Sequence, residues 1–284
     1  MASLTTPQES KTNYSHAIKQ ASTEQDFAIS GTSINGEFDF VVSADTHGRG
    51  SEKSFFTDLF TKLDWREILQ TENFFDLIQN EIKKKNTHQI GSTLSICKIF
   101  KDRFEVFWVG DSTTKIYKDK VEIWKSKDHD YNNEEEIERI QGIDTFIRFK
   151  DARDVVAISP TKIEKVKSKV FYFGDSYKPD TINMTHALGH NQNTGDFISH
   201  ETIPREEEKD YKVVTGSDGF WQMMSEEDSL YIGSQWADSQ TLVNMADHRW
   251  HQGWKLDEKN KEWSNIKFPE WNIDDICVAC WGHE

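Results

Sequence analysis

Cysteine, proline, long apolar runs and positive charge are all scarce in this chain. Three Cys in 284 residues do not make a disulfide framework, which excludes the small cross-linked secreted classes. With five Pro and no extended Gly/Ser tract, no flexible linker divides the chain into domains. No apolar stretch approaches the roughly 20 residues of a membrane-spanning helix. Residues 1–13 are polar and lack the apolar segment of a secretory signal. The expectation is a cytoplasmic protein without membrane contact, the nucleus remaining open. Only 34 Lys and Arg stand against 49 Asp and Glu, a net charge of −15. Such a balance leaves no basic face for nonspecific nucleic-acid binding. A phosphorylated substrate stays compatible with it, because bound divalent cations invert the field locally.

What the chain does have is aromatic bulk. Eighteen Phe and ten Trp within a 36% hydrophobic composition are enough for a core, since each aromatic buries a large apolar area. The expected organisation is a polar tail over residues 1–11 and a single domain over 12–284. Strands are expected at 26–29 and 38–44, joined by a turn at 33–36. Apolar residues at helical spacing, Phe55 to Leu63 and Phe74 to Ile82, predict helices ending at Lys83-Lys84-Lys85. Further strands are expected at 93–100, 104–109, 115–124, 155–158, 170–173, 211–215 and 276–281. Helices are expected from Asn133 through the acidic run and over 241–250. Residues 176–210 have no clear pattern. Many short strands with segregated helices give an α+β class, two sheets face to face with helices outside.

Acidic residues recur where strand-like runs stop: Asp26, Asp45, Asp111, Asp218 and Asp274. A buried carboxylate is costly unless a cation collects it. Hard oxygen ligands without Cys or His clusters suit Mg or Mn. Any one Asp beside Gly or Ser reads more readily as a turn residue than as a ligand; the ordered set is what points to a two-metal hydrolase. Cys277 and Cys280 lie three apart in an expected strand, so they face opposite sides and read as core rather than as a zinc pair. His186 and His190 read as surface or loop groups.

Taken in order, the motifs resemble one family, the metal-dependent serine/threonine protein phosphatases (PPM, or type two C). They run Gln25-Asp26-Phe27-Ala28, Ala44-Asp45-Thr46-His47-Gly48, Gly91-Ser92-Thr93, Val109-Gly110-Asp111-Ser112, Asp128-His129, Glu138-Arg139-Ile140, Ala187-Leu188-Gly189, Ser217-Asp218-Gly219-Phe220-Trp221 and Asp274-Asp275-Ile276. The resemblance spans nearly the whole chain. It implies a four-layer α-β-β-α sandwich with a metal cleft at one end of the sheets. It also implies hydrolysis of phosphoserine and phosphothreonine in proteins by in-line attack of a water bridging two Mn or Mg ions. By this resemblance Asp45 bridges the ions, Asp218 and Asp274 hold one, and the Thr46 carbonyl serves the other. Asp26 then acts through metal-bound water, and Asp111 with Asp218 holds a third, weaker ion. His47 is the implied acid for the leaving oxygen. The implied protein is a monomer acting on phosphoprotein substrates.

Five positions depart from the family pattern. Gln25 stands for a frequent Glu and Thr46 for Gly. Ala21 occupies the place of a phosphate-binding Arg, with Lys19 the nearby substitute. His186 and His190 flank Ala187-Leu188-Gly189 where Arg and Asp are usual. These departures set an active phosphatase against a catalytically weak or inactive pseudophosphatase that serves as a protein-binding scaffold. A two-metal nuclease or phosphodiesterase fits the metal chemistry but not the charge.

Overall fold

A computed structural model of the protein describes residues 13–21, 23–48, 54–143, 146–174, 180–206, 209–258 and 261–282. The expected tail at 1–11 lies outside them. In chain order the elements are β1 (Tyr14–Lys19), β2 (Asp26–Thr32), β3 (Asp39–Gly48), α1 (Phe55–Lys62), α2 (Trp65–Ile68), α3 (Phe74–Ile82), β4 (Ile90–Ser92), β5 (Leu94–Ile99), β6 (Arg103–Val109), β7 (Thr113–Lys118), β8 (Val121–Lys125), α4 (Glu134–Gln141), β9 (Phe146–Ser159), β10 (Lys162–Phe173), β11 (Asp180–Ile182), β12 (Leu188–Gly189), β13 (Ser199–Pro204), β14 (Tyr211–Gly216), α5 (Asp218–Trp221), α6 (Ser229–Ile232), α7 (Ser239–His251), β15 (Trp254–Glu258), β16 (Lys261–Ile266) and β17 (Ile276–Gly282).

Strand alternation builds the layers. In β3, Phe40, Val42 and Ala44 face helices α1 to α3, where they meet Phe56, Phe60, Trp65, Phe74 and Ile78. Val41, on the other face of β3, packs against the second sheet. One sheet runs β1-β17-β14-β7-β8; the facing one runs β12-β4-β3-β5-β6-β13, with β2 added on β3. Between them Cys97, Phe104, Val106 and Trp108 interdigitate with Ile116, Val213, Cys277, Ala279 and Trp281. On the far side Val214, Ile276, Val278 and Cys280 pack with Leu242, Val243, Ala246 and Trp250 of α7. The result is the α+β sandwich, helices outside two mainly antiparallel sheets. The two cysteines of β17 do face opposite layers, and all three cysteines are buried and free.

A third sheet, β11-β10-β15-β16 with β9 on β10, lies beyond the sequence expectation. Its centre is the long β9–β10 ribbon, of which only 155–158 and 170–173 carried a strand pattern. The remainder, 146–154 and 162–169, is rich in Lys, Arg and Asp and has no sustained apolar alternation. A second difference falls at 115–124, expected as one strand. The chain turns there at Asp119 (φ 48°) and Lys120 (φ 70°) and splits into β7 and β8. Two left-handed residues make a tight hairpin, but Asp-Lys lacks the Asn-Gly signature that announces one. Among the described residues no helix is long and apolar enough to cross a membrane.

Candidate metal centre

The polar end of the sandwich begins where the apolar alternation stops. Ser43 Oγ and Thr215 Oγ1 pair across the two sheets at 2.6 Å, and Ser95 Oγ and Thr114 Oγ1 do so at 2.7 Å. One step further, Asp26 of β2 stands directly opposite Asp45 of β3. Like charges in that position destabilise a strand pair, so this placement calls for a cation.

Three loops bring in the other carboxyls. Thr93 ties two of them together: its N–H donates to Asp45 O at 2.8 Å and its Oγ1 accepts from Asp45 N at 2.8 Å. The same Oγ1 lies 2.5 Å from Ser112 Oγ, beside Asp111. Gly110 has φ +90°, and a Cβ there would lie 2.6 Å from Thr93 Cγ2, so only glycine closes this turn. His129 clasps the same glycine, its N–H donating to Gly110 O at 2.9 Å and its Nδ1 accepting from Gly110 N at 3.0 Å. Asp218 begins α5; Gln222 Nε2 donates to its Oδ2 at 2.9 Å. A Cβ on Gly219 would lie 2.1 Å from Asp275 O, so the missing side chain lets this turn press against Asp274-Asp275. Asp275 itself is a clamp. Its carboxylate accepts from Ala21 N, from the Thr23 hydroxyl and, at 2.8 Å, from Gln25 N, and so fixes the approach to Asp26.

Electrostatics show the convergence. Burial first, then the charges of Asp274, Asp275 and Asp218, pushes the Asp26 carboxyl well above its usual range. Burial, then Asp26, Asp218, Asp274 and Asp111, does the same to Asp45. Asp111 is raised by burial and by Asp218, Asp128 and Asp130. Asp218 is raised by burial, with a hydrogen bond to Asp45 opposing. Asp274 is pushed up to about 8 by burial and by Asp218. Among the described residues no Lys or Arg forms an ion pair with any of the five. One oxygen each of Asp26, Asp111 and Asp218 is buried without a hydrogen-bond partner, a state that costs roughly 1–3 kcal/mol per group or more for a charge. Orphaned hard oxygens fit Mg or Mn. Among the described residues no group of three or more His, Cys, Asp or Glu side chains stands close enough together to hold an ion as they lie.

Thr46 lies in the extended backbone of β3, outside the left-handed region, so a β-branched residue is accepted there. Its buried hydroxyl donates to Gln25 O at 2.5 Å. His47 Nε2 lies 2.7 Å from His190 Nε2, with the two rings stacked 5.0 Å apart. Burial, then His190, lowers His47 to about 3, leaving it neutral. The sequence reading of His186 and His190 as surface groups is corrected, because both are buried. His186 stacks on Phe197 at 4.2 Å. His190 opens a turn in which three successive side-chain-bearing residues, His190, Asn191 and Gln192, have φ of 47°, 50° and 57°. Left-handed backbone of this kind costs roughly 1–2 kcal/mol per residue, and it collects at functional sites. The sequence hint was Gly189 followed by His-Asn. Lys19 takes a partner away from the five carboxyls, its Nζ lying 3.5 Å from Asp247 Oδ2 of α7.

Comparison with known proteins follows the same lines. No curated protein matches the chain. The serine-threonine phosphatase 2C from Toxoplasma gondii superposes with a TM-score of 0.60 at 13% identity, covering 95% of this chain and 94% of that one. A C. elegans sex determining protein gives 0.58 at 13% identity over 96% of this chain, which spans 65% of that one. The catalytic domain of the serine threonine protein phosphatase PstP, in complex with two manganese ions, gives 0.50 at 11% identity over 95% of this chain and 98% of that one. At such identities the likeness is one of fold. The sequence pattern of Protein phosphatase 2C matches residues 68–252, a span that holds Asp111 and Asp218 while Asp26, Asp45 and Asp274 join them through the fold. The chain belongs to the protein phosphatase 2C family.

Proposed function

We propose that residues 12–284 act as one domain that removes phosphate from phosphoserine and phosphothreonine in proteins with Mn or Mg. Asp45, Asp218, Asp274 and the Thr46 carbonyl would hold two ions, Asp26 would act through water, and Asp111 with Asp218 would hold a third. The observation carrying this reading is the convergence of five buried carboxyls, all raised and four of them partly by others of the set, with no described Lys or Arg to neutralise them. Family membership and the manganese bound by one structural relative support it. When bound, paired divalent cations supply Lewis-acid activation of water and neutralise charge on a phosphoryl group displaced in line.

The remaining work falls to the chain's own side chains. The seryl or threonyl oxygen leaves with a proton, and His47 is the proposed donor. Its Nε2 is engaged with His190 and its Nδ1 is buried and unpartnered. The acid form would be the imidazolium, which burial and His190 disfavour and an arriving phosphoryl anion would favour, and which returns to the neutral ring when Nδ1 gives up its proton. General-acid help is worth about 10²–10⁴-fold. His47→Ala is therefore expected to slow a phosphothreonine peptide far more than an aryl phosphate with a good leaving group. Equal slowing of both substrates would remove this role.

The competing scaffold reading draws on Ala21 and on Lys19 pairing with Asp247. Release of inorganic phosphate from a phosphothreonine peptide decides between the two. The expected result is turnover with Mn or Mg that EDTA stops. A folded protein inert with both metals would leave only the scaffold.

A further inference from the structure

The β9–β10 ribbon is a positive element in a negative chain. Residues 146–173 carry seven Lys or Arg and three Asp or Glu, a net +4, against −15 for the whole protein. The ribbon also lies at the candidate site. Asp154, Val156, Val166, Lys167 and Ser168 of its middle line the same cleft, of about 230 Å³, as Asp111 and Asp218.

Several of its cations are already engaged. Lys169 pairs with Asp151 at 2.9 Å, and Arg148 lies over the Tyr172 ring at 4.7 Å. Arg153 and Lys167 differ. They stand directly opposite one another in the strand register, both are exposed, and neither makes an ion pair among the described residues. Like charges directly opposed weaken a strand pair; the charge of Lys167 is felt by Asp151, but the opposed pair itself is unfavourable, and an anionic ligand would gain from both.

We propose that Arg153 and Lys167 dock acidic residues flanking the phosphorylated residue of a protein substrate; this deepens the phosphatase reading and rests on it. Charge complementarity selects the occupant. The bulk of the molecule repels an acidic segment, whereas the ribbon face carrying Arg153 and Lys167, opposite the face of Asp154 and Val166 at the cleft, offers a local positive surface at the cleft's edge. Arg153 presents a guanidinium fork suited to a carboxylate, and Lys167 a point charge.

The test uses two phosphothreonine peptides identical except for acidic or basic flanks, with p-nitrophenyl phosphate as the control substrate. Wild-type protein is expected to favour the acidic peptide by about tenfold in kcat/KM at low salt, through KM, and to lose that preference in about 0.5 M salt. The double variant Arg153→Glu, Lys167→Glu is expected to cancel or invert the preference, each peptide rate being taken relative to the same protein's p-nitrophenyl phosphate turnover, while the thermal midpoint stays put. Equal kcat/KM for the two peptides in wild type, or a preference that survives the double reversal, overturns the proposal. Fluorescence anisotropy of the same labelled peptides in EDTA separates docking from catalysis. Binding of the acidic peptide at least about fivefold tighter than the basic one, lost in the double variant, upholds the docking surface even for a protein that hydrolyses nothing. No difference between the peptides refutes it even for an active enzyme.

Discussion

Asp45→Ala is expected to lower phosphate release by at least about 10²–10³-fold, the scale of losing one preorganised electrostatic stabiliser. Asp45 is the carboxyl whose environment names the other four, Asp26, Asp218, Asp274 and Asp111. Its backbone is clasped from both sides by Thr93, which also reaches the Asp111 turn through Ser112. Removing the side chain deletes the shared ligand and leaves that scaffolding untouched. The fold should survive, and the metal-free variant should gain slightly in stability. A carboxylate directly opposite another on a neighbouring strand is unfavourable by about 0.2–1 kcal/mol, and alanine ends that repulsion. Two measurements check this: phosphate release with saturating Mn, and the thermal midpoint in EDTA. A near wild-type rate would sink the bridging role, and an unfolded variant would sink the claim that these carboxyls serve function at the expense of stability.

Arg249→Ala carries the largest expected stability loss, about 3–5 kcal/mol, because it strands a buried charge. Arg249 of α7 meets Asp228 with two hydrogen bonds of 2.6 and 2.7 Å and adds a third to Met223 O at 2.7 Å. Both side chains are 8% exposed. Asp228 in turn accepts from the Ser225 N–H and hydroxyl at 2.8 and 2.7 Å, so the pair locks the segment after α5 onto α7. Burial pushes the Asp228 carboxyl up, but the Arg249 hydrogen bonds and those from Ser225 pull it further down, and the net is below the usual range. A depressed carboxyl stabilises the fold fully above its unfolded value of about 3.9 and loses that contribution as pH falls through the folded value. Wild type and variant should therefore differ fully at pH 7 and begin to converge only as pH falls below about 4. Urea unfolding at several pH values reads both effects. A difference under about 1 kcal/mol at neutral pH would show that the pair contributes little. The double variant Arg249→Met, Asp228→Leu should recover much of the loss, since it leaves no stranded charge.

Legibility in the sequence followed the range of the physics. Alternation along β3 and β5 is local, so the strands and their buried faces could be read directly. Helices α1 and α3 announced themselves by Phe spacing. Thr46 looked awkward in a position expected to need glycine, and the extended backbone there removes the difficulty. The β9–β10 ribbon was visible only at its apolar ends, because its middle is held by strand pairing and by the cleft rather than by a hydrophobic stripe. The turn at Asp119-Lys120 and the left-handed run from His190 to Gln192 have side chains that do not demand such backbones. There the surrounding packing overrides local preference.

The order and spacing of the aspartates, the alternation that aims them between the sheets, and the apolar faces that stack the layers all belong to the linear chain, because each depends on neighbours a few residues away. Other features needed the folded chain. His47 meets His190 across 143 positions of sequence, Asp275 clamps the segment before Asp26 from more than 250 positions away, and Lys19 finds Asp247. Opposing Arg153 to Lys167 likewise depends on strand register. Contacts of that range are settled by the packing of whole layers, which no local pattern of residues encodes.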